Sequence, residues 1–152
     1  MRGLALDPAF RNIGIVEFNL VDGIPIPYNL DIIQTKKGKG KVGLDDLRAS
    51  RKIHKGLQNF IQDKDIIIAE LPTGSQSSRA AMASGVIIGI LAGLENLTTV
   101  SPNQVKNIVG KNATKDEIIE WGMRKYPELN WPKTKAKQEH IADSLAVMET
   151  LR

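Results

Sequence analysis

The run Asp-Ile-Ile-Ile-Ala-Glu at 65–70 constrains this chain most. It is a continuous apolar stretch closed by a glutamate, the pattern of a strand buried on both faces at the centre of a sheet. Such a strand needs neighbours and covering helices, and the flanking sequence supplies both. Residues 3–9 and 12–20 read as two short apolar strands around a tight turn, an antiparallel hairpin. Residues 24–33 read as a third strand, and Pro25 and Pro27, which lack ladder donors, push its start to a sheet edge. From Leu44 to Ile61 the apolar positions recur at helical spacing, with Asp45 and Asp46 in the first turn, where the helix dipole favours anions.

Residues 75–94 form a long helix candidate rich in Ala, Ser and Gly, and 97–100 a short strand. Two helix starts follow with explicit capping chemistry. Ser101-Pro102-Asn103-Gln104 and Thr114-Lys115-Asp116-Glu117 are both capping boxes, the first with proline at the first helical position. A last helix is expected from about Gln138, with Ile141, Leu145 and Met148 inward. The order predicts an α/β fold: a mixed five-stranded sheet, three antiparallel strands first, with helices on both faces. At 152 residues, 41% apolar and 25% charged, one domain spanning 1–152 is expected. With no cysteine, disulfide scaffolds, thiol nucleophiles and thiolate zinc sites are excluded. The opening stretch MRGLALDPAF does not read as a signal peptide, and no apolar run approaches the roughly 18 residues of a membrane span. A cytoplasmic location is expected.

The net charge of +4 is unevenly placed. Residues 34–55 hold eight basic and two acidic side chains, and 101–137 hold eight against four, while the segments around them are acidic. A basic excess confined to segments is the footprint of a polyanion-binding face. The stretch TKKGKGK (35–41) has no apolar residue and reads as a mobile basic loop at about 35–42.

Three carboxylates stand in apolar company. Asp7 ends the run Leu-Ala-Leu, Glu70 ends Ile-Ile-Ile-Ala, and Asp143 lies within HIADSLAV. Burying an ionised carboxylate without compensation costs several kcal/mol. If the first and fourth strands are neighbours, Asp7 and Glu70 meet at one edge, and a divalent cation relieves their repulsion. Carboxylate oxygens are hard ligands suited to Mg²⁺ or Mn²⁺. On the last helix both His140 (i, i+3) and Glu139 (i, i+4) share a face with Asp143, and spacing does not choose between them.

These residues resemble a known family. LALDPAFRNIG is similar to the first motif of RuvC-type Holliday junction resolvases, IIIAE to the second, SPNQVKNIVGKNATKDEI to their DNA-contacting segment and HIADSLAV to the last. The motifs occur in order over nearly the whole chain. Ala9 stands where the family has Gly or Ser, and LPTGSQSSR after Glu70 lacks the family's aromatic residue. The resemblance implies an RNase H-like fold in a divergent member, of bacteriophage or viral type. It implies a site of Asp7, Glu70, His140 and Asp143 holding two Mg²⁺ ions, with Mn²⁺ as a substitute. Such a pair, about 4 Å apart, hydrolyses a phosphodiester to 5′-phosphate and 3′-hydroxyl ends. It also implies phosphate contacts at Lys106 and Lys115. Lys111 and the loop lysines Lys36, Lys37, Lys39 and Lys41 join them as candidate nucleic-acid contacts.

The expected substrate is a four-way DNA junction. Its symmetric cleavage by one site per subunit predicts a homodimer, with the small-residue face of helix 75–94 as the interface. The alternatives are a nuclease of the same fold acting on flaps, other branched DNA or RNA, and an inactive junction-binding module. A sugar-kinase or actin-like ATPase would need two such domains and a glycine-rich phosphate loop, which Asp7-Pro8-Ala9 does not provide.

Overall fold

The computed structural model describes residues 1–74 and 77–152. Its sheet grows from the N-terminal hairpin. Strands β1 (Arg2–Pro8) and β2 (Asn12–Val21) pair antiparallel, with Asp7 opposite Gly14. Strand β3 (Ile24–Gln34) returns along β2, and a break in register falls between Glu17 and Phe18. The turn between them places Asp22 and Gly23 in the left-handed region, which tight hairpins require.

The chain then crosses through α1 (Val42–Ile61) to β4 (Ile66–Glu70), parallel to β1. Through α2 (Ser78–Ala92) it reaches β5 (Leu97–Val100), parallel to β4. The order is β3-β2-β1-β4-β5, so the five-stranded mixed sheet is as expected, and the proline-bearing strand lies at an edge. Helices α3 (Pro102–Val109), α4 (Lys115–Lys125) and α5 (Lys135–Glu149) close the chain.

Alternation along the strands divides the core into two layers. Leu4, Leu6, Ile13, Ile15 and Ile67 pack under α1 and α2. Ala5, Val16, Phe18 and Ile68 pack under the later helices, with Ile141, Leu145 and Met148 of α5 fully buried among them. Asp7 and Glu70 continue the second set, so both carboxylates point to the α5 side.

Most element ends fall within two residues of expectation, and the informative departures are at helix starts. Helix α5 starts at Lys135, not Gln138; its first turn is solvated and lacks the apolar periodicity that marks a start. Helix α2 begins at Ser78 behind the cap Ser77, whose hydroxyl accepts the Ala80 N–H; residues 75 and 76, where the predicted helix began, lie outside the described residues. At α3 the capping box is complete, Ser101 and Gln104 bonding reciprocally, whereas at α4 only the Thr114 hydroxyl takes the Glu117 N–H.

Asp45 and Asp46 do more than meet a helix dipole. Both are buried, and each binds an arginine from elsewhere in the chain: Arg11 Nη2 to Asp45 Oδ2 at 3.2 Å, and Arg79 to Asp46 through two bonds of 2.5 and 2.6 Å. The Arg11 guanidinium also lies 4.7 Å over the Phe10 ring. This cluster joins the β1–β2 turn to the starts of α1 and α2. Among the described residues no helix is long and apolar enough to cross a membrane.

Candidate active site

Asp7 and Glu70 end two adjacent parallel strands. The register pairs Leu6 with Ala69, so the next residue of each strand brings its carboxylate to the same rim. Helix α5 is laid against this rim by a specific contact. The buried Ser144 hydroxyl accepts the Asp7 N–H at 3.1 Å and donates to the His140 carbonyl at 2.9 Å. One side chain thus ties strand end to helix backbone. Opposite Asp7, Gly14 makes the approach possible, because a Cβ there would collide with the His140 carbonyl and Ser144 Oγ.

Held this way, His140 Nδ1 lies 2.9 Å from Asp7 Oδ2. The Asp7 hydrogen bond raises the imidazole pKa above its ordinary value, with help from the charges of Asp143 and Glu139, against the opposing effect of burial. A cleft of about 210 Å³ opens beside the pair, lined by Asp7, Glu70, Asp143, Lys106, Lys111 and Gly110. Burial pushes the Glu70 carboxyl up to about 7, the Asp7 charge adds to this, and Lys106 opposes it. Asp143 is also pushed up to about 7, by burial first and then by Asp7, Glu139 and Glu70. Each carboxylate therefore feels the others across the cleft.

Of the predicted site residues, Asp7, Glu70 and Asp143 share the cleft wall, and His140 stands against Asp7 from the adjacent turn of α5. Among the described residues, however, no three His, Cys, Asp or Glu side chains gather closely enough to form a coordination sphere. The imidazole is turned onto Asp7.

The candidate cations divide. Lys106 on α3 and Lys111 in the following turn line the cleft. Lys115, at the first turn of α4, is exposed and its Nζ lies 3.1 Å from Glu139 Oε1. Glu139, left open by spacing as a partner of Asp143, thus meets a lysine. Lys36, Lys37, Lys39 and Lys41 are exposed on the irregular segment between β3 and α1, away from the cleft wall. That segment is tethered at both ends of its first half. Thr35 donates through N–H and hydroxyl to the Arg11 and Phe10 carbonyls, and the Gly38 N–H donates to Asp45 Oδ1 at 2.7 Å.

Sequence reasoning quoted Gly14 and Ser144 only as members of motifs and gave neither a role. The signal for Ser144 was its place four residues after His140 within an otherwise apolar helix face; the role of Gly14 shows only with the helix docked against it.

No protein-family model matches the chain, and no curated protein matches it by sequence. Solved structures do match. The chain is similar to Thermus thermophilus RuvC in complex with a Holliday junction substrate, with a TM-score of 0.67 and 18% identity over 99% of this chain and 92% of that one. It is also similar to the fowlpox virus resolvase bound to its substrate Holliday junction DNA, with a TM-score of 0.60 and 16% identity over 99% of both chains. The fowlpox virus Holliday junction resolvase in a second structure gives a TM-score of 0.55 at 18% identity. The chain therefore has the RNase H-like fold of the RuvC-type Holliday junction resolvases.

Proposed function

We propose that the protein is a metal-dependent endonuclease that cuts four-way DNA junctions. The observation that carries this reading is the shared cleft: three carboxylates on two strand ends and one helix, facing Lys106 and Lys111. Such a cluster of half-buried acids holds its protons up to about neutral pH at Glu70 and Asp143 and favours divalent cations once ionised. Three carboxylates and an imidazole are a hard donor set that suits Mg²⁺ or Mn²⁺. Asp7, Glu70, Asp143 and His140 would hold the ions, two in number. Bound divalent cations supply a water of lowered pKa and neutralise charge on the reacting phosphate.

The chain's own groups do the rest. Ser144 fixes Asp7 against α5, and Lys106 and Lys111 meet phosphate oxygens at the mouth of the cleft. Lys115 exchanges Glu139 for phosphate. The products on this reading carry 5′-phosphate and 3′-hydroxyl ends. The two structural neighbours titled as complexes with Holliday junction DNA support the choice of substrate.

The fold also supports a two-fold dimer. The small-residue face of α2 turns outward: Ala80, Ala81, Gly85 and Gly89 are exposed, as are Met82 and Ile88, and open space surrounds both glycines. A second copy of this helix fits that face and supplies the second cut of a symmetric junction.

The second reading, an inactive junction-binding module, keeps the basic residues and the fold without the metal step. Cleavage of mobile and immobile four-way junctions, a flap and an RNA–DNA hybrid with Mg²⁺ or Mn²⁺ decides between them. Junction cutting supports the main reading. Preferred cutting of the flap or hybrid reassigns the substrate. Tight junction binding without cutting, and no ion bound in a calorimetric titration, replaces it with the binding module.

A further inference from the structure

The basic segment 34–55 divides in the structure, and half of its charge is unaccounted for by the loop. Arg48, Arg51, Lys52 and Lys55 all stand on α1 and line one groove of about 780 Å³ between that helix and the edge strand β3. Their spacing places them in a single stripe. All four are exposed, and none forms an ion pair with a described residue. Asp31 also lines the groove, and its Oδ1 accepts the Ile32 N–H at 2.7 Å, which leaves the groove with a surplus of three positive charges.

A solvated lysine face on a helix is ordinarily convex. This one is the wall of a depression whose floor is fixed. Gly56 lets α1 press onto Ile33, since a Cβ at 56 would lie 2.9 Å from the Ile33 side chain. The groove also adjoins the basic loop between β3 and α1. Arg48 reaches toward Gly38 and the Asp45 carboxylate, and Thr35 at the loop's start bonds to Phe10 and Arg11, just beyond Asp7. The basic loop thus meets the groove at Arg48.

We propose that this groove is a second nucleic-acid contact, which holds the phosphate backbone of a duplex arm while the cleft engages the strand to be cut. The proposal rests on the reading of the chain as a junction nuclease. Bases play no part in the recognition, so the contact is independent of sequence. It lies on the α1 face of the sheet, opposite the α5 face that carries the carboxylates, so a bound arm passes along the β3 edge.

The test is the salt dependence of binding to a four-way junction and to a plain duplex. It compares the full-length protein with a variant carrying Arg48→Gln, Arg51→Gln, Lys52→Gln and Lys55→Gln, and with the single variant Lys55→Glu. All these positions are exposed, and a thermal melt confirms that each variant is folded. Each phosphate contact contributes about 0.9 to the slope of log K against log salt, so the fourfold variant should lose on the order of 2 to 4 in slope. Its affinity should fall about tenfold or more near 0.1 M salt, for the junction and the duplex alike. Unchanged slope and affinity in both variants, with the parent protein binding the junction, overturn the groove and leave the cleft reading standing. A parent protein that binds neither DNA overturns both.

Discussion

Replacing Asp7 with asparagine keeps the side chain's shape and removes its charge. Cleavage by that variant should disappear in a junction assay while junction binding persists or tightens, since a negative charge no longer faces phosphate. Ser144→Ala deletes a buried hydroxyl that serves two backbone groups and leaves the Asp7 N–H and the His140 carbonyl without it. Chemical denaturation should show a loss of about 1–3 kcal/mol. Because this change loosens the seating of Asp7 against α5, its cutting rate under saturating metal should fall as well. The pH response follows from the carboxyls at the cleft. Glu70 and Asp143 are held near 7, above their unfolded values, so between about 4 and 7 the native state binds more protons than the unfolded state. Stability from these two groups is therefore full below about pH 4 and declines as pH rises from there to about 7, where it is lost. A thermal melt in chelator should show this decline, and added Mg²⁺ should raise Tm more at about pH 8 than at about pH 5, because ions bind the ionised form. Equal Mg²⁺ shifts at both values would contradict the site.

At the scale of elements, Asp46 and Arg79 join the start of α1 to the start of α2. The Arg79 hydrogen bonds hold the Asp46 carboxyl below its usual value, and Asp45 is lowered first by the Gly38 N–H and also by Arg11. Here the unfolded state takes up protons first, so this stabilisation is present above about pH 4 and is lost as pH falls below it. Asp46→Asn should flatten the acid limb of the stability profile while leaving the limb near neutrality intact. Helix α2 offers a separate test: Met82→Glu with Ile88→Glu should convert a dimer to monomer by light scattering, with the melt of the folded chain preserved. The strands and most helices were legible in the sequence because each carries its own signal in period, proline or cap. The partners of Asp45 and Asp46 were not legible, because Arg11 and Arg79 lie more than thirty residues away. The helix dipole alone accounted for the aspartates, and only packing reveals that they are bound. The start of α5 was hidden for the opposite reason: its first turn is exposed and carries no apolar stripe.

At the scale of the whole molecule, the sheet order does most of the work of assembling the site. Carboxylates at 7 and 70 become neighbours because β1 and β4 pair in parallel, which the strand sequence implied, and Asp143 joins them because α5 covers that face. That Asp7 and Glu70 end adjacent strands was readable only on the condition that the first and fourth strands pair, whereas the serine bridge between Asp7 and α5 was not, since it depends on how closely a helix docks. The docking also sets an order in time. The hydrogen bonds at Asp7 reach across 137 and 133 residues, from the first strand to the last helix. During synthesis, residues 135–149 must leave the ribosome before the hairpin at the other extremity acquires its partners. A nascent chain therefore carries no partly working blade: under the proposed activity, the ability to cut DNA switches on only when translation has delivered the final helix.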